Sequence, residues 1–165
     1  MRYFIHLSYD GTRFHGWQIQ PNGISVEGEI ERCLSVILRT PIDIVGAGRT
    51  DAGVHARQMA AHFDISAEEM GKVSSDLIDS EHEGEDANAF VINGKQLAYK
   101  LNRMLPPDIS IQRIEHVDDN LHARFSALSR TYHYYLHEQK DPFKRQYSYE
   151  CHFSLDFNAM NEAAK

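Results

Sequence analysis

At 165 residues, with 42% hydrophobic and 25% charged side chains, the chain is long enough to bury one real core and has the balance of a globular domain. No run is apolar enough to span a membrane, and the first residues enter an alternating pattern with no apolar leader, so neither a membrane span nor a secretory leader is expected. A formal net charge of −7 argues against a uniformly basic nucleic-acid binder.

That excess is local. Residues 66–88 hold eight acids against Lys72 alone, leaving 16 acids and 16 bases elsewhere, so a basic face on the remainder stays open. Cys33 and Cys151 are far apart and lack Cys-x-x-Cys spacing, which points to reduced thiols and a cytoplasmic setting.

In chain order, Tyr3, Ile5, Leu7 and Tyr9 alternate with Phe4, His6 and Ser8, which predicts a strand ended by Asp10-Gly11. The following loop, to Gln20, mixes glycines and aromatics, and Trp17 is expected to anchor it in the core. Ser25 suits an N-cap, and Val26, Ile30, Cys33, Leu34, Ile37 and Leu38 recur at helical spacing, so an amphipathic helix should run from there and end before Pro41.

Residues 42–45 and 58–65 read as strands. The acidic segment, about 66–92, is poor in aromatics and reads as an exposed or disordered insertion. After the Asn93-Gly94 turn, Leu97, Leu101, Met104 and Leu105 mark a helix stopped by Pro106-Pro107. Residues 109–117 predict a strand with a bulge near Arg113, and residues 131–137 predict another. The β-α-β-β-α-β order is that of an α/β (α+β) ferredoxin-like antiparallel sheet with both helices on one face.

Between the second and third strands lies Gly46-Ala47-Gly48-Arg49-Thr50-Asp51-Ala52-Gly53-Val54-His55-Ala56. Gly48 and Gly53 have P-loop spacing, but Val54-His55 stands where Lys-Ser/Thr is required, and no Gly-x-Gly-x-x-Gly is present. If residues 49–51 are extended, Arg49 and Asp51 share one face, and the guanidinium would hold the carboxylate ionised and aimed. Such an aspartate is a candidate nucleophile. The plain alternative is a tight turn with a surface ion pair.

The string Gly48-Arg49-Thr50-Asp51-Ala52-Gly53-Val54-His55 resembles the motif that carries the catalytic aspartate of TruA-type tRNA pseudouridine synthases. Tyr9-Asp10-Gly11 with Gly16-Trp17-Gln18-Ile19-Gln20 resembles a second stretch of that family, although Glu27 stands where its members often carry Gln. Leu121-His122-Ala123-Arg124-Phe125-Ser126-Ala127, followed by Arg130-Thr131-Tyr132-His133-Tyr134, resembles a third, with Leu121 in place of the usual Phe.

The resemblance implies the pseudouridine synthase fold, Asp51 as nucleophile and Arg49 as its orienting partner. It also implies Tyr132 as the ring that stacks on the target base and a candidate proton acceptor. Spacing alone would instead put Tyr132 and Tyr134 on one strand face, packed in a core. Gly48, Thr50, His55, Arg124 and Arg130 are the implied substrate-binding residues, although the two arginines would equally suit pairing with surface acids.

The implied partner is tRNA, bound at the 3′ side of the anticodon stem-loop, in a homodimeric protein without a cofactor. Ten histidines form no His-Glu-x-x-His or other ligand spacing, so no metal is expected. The family continues beyond such a chain, so this is expected to be its first part. Two other classes stay open: an RNA-binding module that stacks bases on sheet aromatics, and a glycosidic hydrolase needing a second, protonated carboxyl.

Overall fold

A computed structural model describes residues 1–79 and 90–165, which form two units, Met1–Leu128 and Ser129–Lys165. In the first unit the elements are β1 (Arg2–Tyr9), α1 (Val26–Leu38), β2 (Ile44–Gly46), β3 (Ala56–Asp64), α2 (Ala67–Met70), β4 (Ile78–Asp79), β5 (Val91–Ile92), α3 (Gly94–Met104) and β6 (Ile109–Val117). The main sheet has the order β2-β3-β1-β6 with every pair antiparallel. It is the arrangement that the element order predicted.

Period-two patterning sets which face of β1 is buried. Tyr3, Ile5, Leu7 and Tyr9 are buried, whereas Arg2, Phe4, His6 and Ser8 are half-buried on the other face. The buried row packs in one cluster with Val26, Ile30, Cys33, Leu34 and Leu38 of α1 and with Leu97, Ala98 and Leu101 of α3. Both helices therefore cover the same face.

Each helix starts on a side-chain cap. The Ser25 hydroxyl accepts the Gly28 N–H, and the Asn93 carbonyl oxygen accepts the Gln96 N–H. The expected bulge is present. His6 pairs with Arg113 and Leu7 with Ile111, which leaves Gln112 as the extra residue, its amide donating to Ser8 Oγ at 2.7 Å.

The acidic segment departs from expectation at both flanks. Ser66 and Glu69 form a reciprocal capping box on α2, and Met70, Val73 and Leu77 enter the core, Leu77 fully. β5 pairs with β4, and its Ile92 N–H donates to the Tyr3 hydroxyl at 3.0 Å. Lys100 reaches Asp76 at 2.6 Å. Spaced apolar residues at Met70, Val73 and Leu77 outweigh the acids around them, because the acids can face water while the apolar side chains dock. The expectation for residues 80–89 lies outside the described residues.

In the second unit the strand expected over 131–137 shrinks to β7 (Leu136–His137), which pairs in parallel with β8 (Tyr149–Glu150), ahead of α4 (Phe157–Ala163). Tyr132 and Tyr134 are exposed at 58% and 88%, so neither ring packs in a core formed by the described residues. Alternation alone did not make residues 131–135 a strand because they lack a ladder partner among the described residues. Asp156 caps α4 through the Asn158 and Ala159 N–H groups.

Leu77→Ala is expected to destabilise the first unit by about 3 kcal/mol, the usual cost of emptying a fully buried leucine site. Urea unfolding checks this. A change within ~0.5 kcal/mol would show that the flank is not part of the core.

Candidate active site

Asp51 lies on an irregular loop between β2 and β3, exposed like Arg49, Ala52, Gly53 and Val54, with Gly48 and Thr50 half-buried. The loop is pinned from several directions. Ala47 donates to the Ala60 carbonyl at 2.7 Å, Trp17 N–H to the Thr50 carbonyl at 3.0 Å and Gly53 N–H to the Phe14 carbonyl at 3.3 Å. The Tyr9 hydroxyl and Thr50 Oγ1 are 2.8 Å apart, and Val54 N–H closes a turn on the Asp51 carbonyl at 3.2 Å. A fixed backbone thus presents a solvated carboxylate.

Glycines permit the close approaches that this requires. A Cβ on Gly11 would sit 2.0 Å from the Val54 carbonyl oxygen, and one on Gly46 would fall 2.5 Å from the Trp17 indole. Gly16, at φ +89°, passes against the Thr50 carbonyl. Trp17, only 1% exposed, fills the space over Gly46 and tilts against Tyr9 with ring centroids 6.0 Å apart.

The expected Arg49–Asp51 ion pair is absent among the described residues. Residues 49–51 belong to no strand, so no ladder holds the i and i+2 side chains on one face. An exposed pair contributes at most about 1 kcal/mol, too little to impose it. His55 Nδ1 accepts the Gly11 N–H at 3.1 Å and lies 3.1 Å from Asp10 Oδ1, joining this loop to the one after β1.

A second cluster lies on the sheet face opposite the helices. Buried His62 on β3 accepts the Ala123 N–H at Nδ1 at 3.2 Å, and its ring meets His122 edge-on at 4.6 Å. Burial first, then the Arg2 and His122 charges, push its pKa down to about 4, so the ring is neutral at pH 7. Arg2 grips Asp64 with both Nε and Nη2 and donates through Nη1 to the Leu121 carbonyl at 2.7 Å. That guanidinium holds the Asp64 carboxyl below its ordinary range. Arg124 follows this cluster, half-buried, with its N–H on His122 Nδ1 at 3.2 Å.

Gly48, Arg49, Thr50, Asp51, His55 and Arg124 thus all belong to the first unit, whereas Arg130 and Tyr132 belong to the second. Among the described residues no three His, Cys, Asp or Glu side chains converge as metal ligands, and no helix is long and apolar enough to cross a membrane. Two contributors escaped the sequence reading. Glu27 binds the Trp17 indole N–H and the Ile19 N–H. His62 carried no signal beyond its place in a strand.

The chain is similar over nearly its whole length to proteins named tRNA pseudouridine synthase A. It is 49% identical to that of Bacteroides thetaiotaomicron over 164 residues, which is 99% of this chain and 52% of the relative. It is 50% identical to that of Parabacteroides distasonis, over 99% of this chain and 56% of the relative. It is 36% identical to that of Bacillus subtilis, over 100% of this chain and 59% of the relative. The chain spans about half the length of the curated relatives it matches. No protein-family model matches it.

His62 makes stability depend on pH in a defined direction. Its folded pKa of about 4 lies below the ordinary 6.5, so between these values the unfolded chain takes up a proton that the folded one refuses. Stability is therefore lost as pH falls below about 6.5. His62→Asn keeps an acceptor for the Ala123 N–H and cannot charge. Between pH 7 and pH 4.5 its urea-unfolding free energy is expected to fall by about 2 kcal/mol less than the parent's. Equal losses would refute the assignment.

Proposed function

Since this chain belongs to the TruA-type tRNA pseudouridine synthase family, we propose that the protein isomerises uridine to pseudouridine in tRNA, with Asp51 as the nucleophile. The observation that carries this reading is the run Gly48 to His55, built as a pinned loop with its aspartate turned to solvent. A carboxylate that is exposed yet fixed in position can meet a base or sugar delivered from outside, which a mobile or buried one could not do.

The reaction breaks the C1′–N1 bond, turns the uracil, and forms a C5–C1′ bond. N1 ends protonated and the C5 proton leaves to solvent, so atoms and electrons balance without an oxidant or a second substrate. Asp51 can serve by adding to the sugar carbon or to the base. The uridine must leave its stack to reach a protein carboxylate, and an exposed ring such as Tyr132 suits the platform role, with its phenol as proton acceptor.

Arg49, with no ion pair to Asp51, is assigned to the RNA, where its guanidinium takes the space vacated by the base. Thr50 and Gly48 shape the loop, and Arg124 and Arg130 are assigned to phosphates. The substrate site is the 3′ side of the anticodon stem-loop. We assign the protein to the cytoplasm as a homodimer.

Tritium release from tRNA labelled at uridine C5 tests the reading. Asp51→Ala is expected to lower release by at least ~1000-fold, while tRNA binding stays within about twofold, since one carboxylate contributes little to a contact dominated by phosphates. Release unchanged by Asp51→Ala would overturn the assignment. Binding without Asp51-dependent release would favour an RNA-binding module, and free uracil in place of pseudouridine a hydrolase.

A further inference from the structure

The Asp51 loop is held through a residue that lies outside the loop's own motif. Glu27 occupies the second position of α1, in the helical turn where N–H groups have no partner within the helix. Those donors are used on the neighbouring loop: Val26 N–H binds the Gly16 carbonyl at 3.2 Å and Glu27 N–H binds the Trp17 carbonyl at 3.0 Å. The Glu27 carboxylate then turns to the same loop. Oε1 accepts the Trp17 indole N–H at 3.1 Å and Oε2 accepts the Ile19 N–H at 2.9 Å.

Glu27 therefore holds Trp17 at both ends, by main chain and by side chain. Trp17 in turn donates its backbone N–H to the Thr50 carbonyl, one residue from Asp51, and its indole lies over Gly46 where the loop leaves β2. We infer that Glu27 is a positioning residue for Asp51, setting the nucleophile loop through the Trp17 indole and main chain. This rests on the reading of Asp51 as the nucleophile and extends it to a residue that touches no substrate.

The chemistry of the acceptor matters. A carboxylate offers two oxygens to two converging donors. A carboxamide offers one, and presents N–H against the other donor. Glutamine at this position is therefore expected to keep one contact and lose the other.

The chain has a single tryptophan, so its indole N–H gives one identifiable amide-type resonance. The experiment measures hydrogen exchange at that indole and at the Trp17 and Ile19 amides, in the parent, Glu27→Gln and Glu27→Ala. Tritium release from C5-labelled tRNA is followed in the same proteins and in Asp51→Ala. If the 165-residue chain releases no tritium, the kinetics are run on the protein extended to the length of its relatives.

In Glu27→Ala, exchange at all three groups is expected to rise at least ~10-fold, with kcat falling about 10-fold and KM unchanged within about twofold. Glu27→Gln should fall between this variant and the parent, and being isosteric it keeps the test valid if Glu27→Ala does not fold. Unchanged exchange at the Trp17 amide, the group bonded to Thr50, would overturn the inference. So would a raised KM at constant kcat, which would mark Glu27 as an RNA contact. Full activity of Asp51→Ala would defeat the synthase reading and with it the role assigned to Glu27, while the exchange data would still report whether Glu27 grips the loop.

Discussion

The contact on which the arrangement depends is that between Trp17 and the chain leaving β2. The indole is buried, touches the backbone at Gly46, and leans on Tyr9 of the central strand. Its main-chain N–H reaches the Thr50 carbonyl. A large rigid ring in a close-packed interior transmits position because little around it can yield. Through Trp17 the hydrophobic core, otherwise built from the helix-facing rows of β1 and β3 with α1 and α3, fixes a loop that is itself exposed.

This resolves a tension in the composition of residues 46–56. Small residues there allow tight turns and close approach, but glycine loses the most entropy on ordering and gives no side-chain packing. Such a loop cannot hold itself in place. The partners come from outside it: the carbonyls of Phe14 and Ala60, the N–H of Gly11 on His55, the hydroxyl of Tyr9 and the whole of Trp17. The ion pair first expected between Arg49 and Asp51 is not needed for order and is not formed. Rigidity rests on buried and half-buried contacts, and the charged groups stay in water.

What could be read from the sequence was what depends on short-range periodicity. The strand over residues 2–9, the helix capped by Ser25, the helix after the Asn93-Gly94 turn and the bulge near Arg113 follow from local spacing, capping and turn chemistry. The motif around Asp51 was legible because its residue types are unusual together. Glu27 was not, because its function depends on the loop of Trp17 folding back onto the first turn of α1, a tertiary event with no periodic mark. Composition misled at 66–79, where three spaced apolar residues outweigh the acids. Alternation misled at 131–135, where strand-like residues lack a ladder partner among the described residues.

The two units also divide the chemistry assigned to them. Every contact described for the Asp51 loop comes from within the first unit, including Phe14, Trp17, Ala60 and His55. A nucleophile must be held to a fraction of an ångström, and contacts with the core of its own unit can do that. The ring proposed as the base platform, Tyr132, stands instead in a segment with exposed aromatic side chains and short pairings. Stacking tolerates small displacements of a flat ring far better than bond formation tolerates displacement of an oxygen. The stringent requirement therefore falls on the unit with the larger core, and the tolerant one on the unit with little packing of its own.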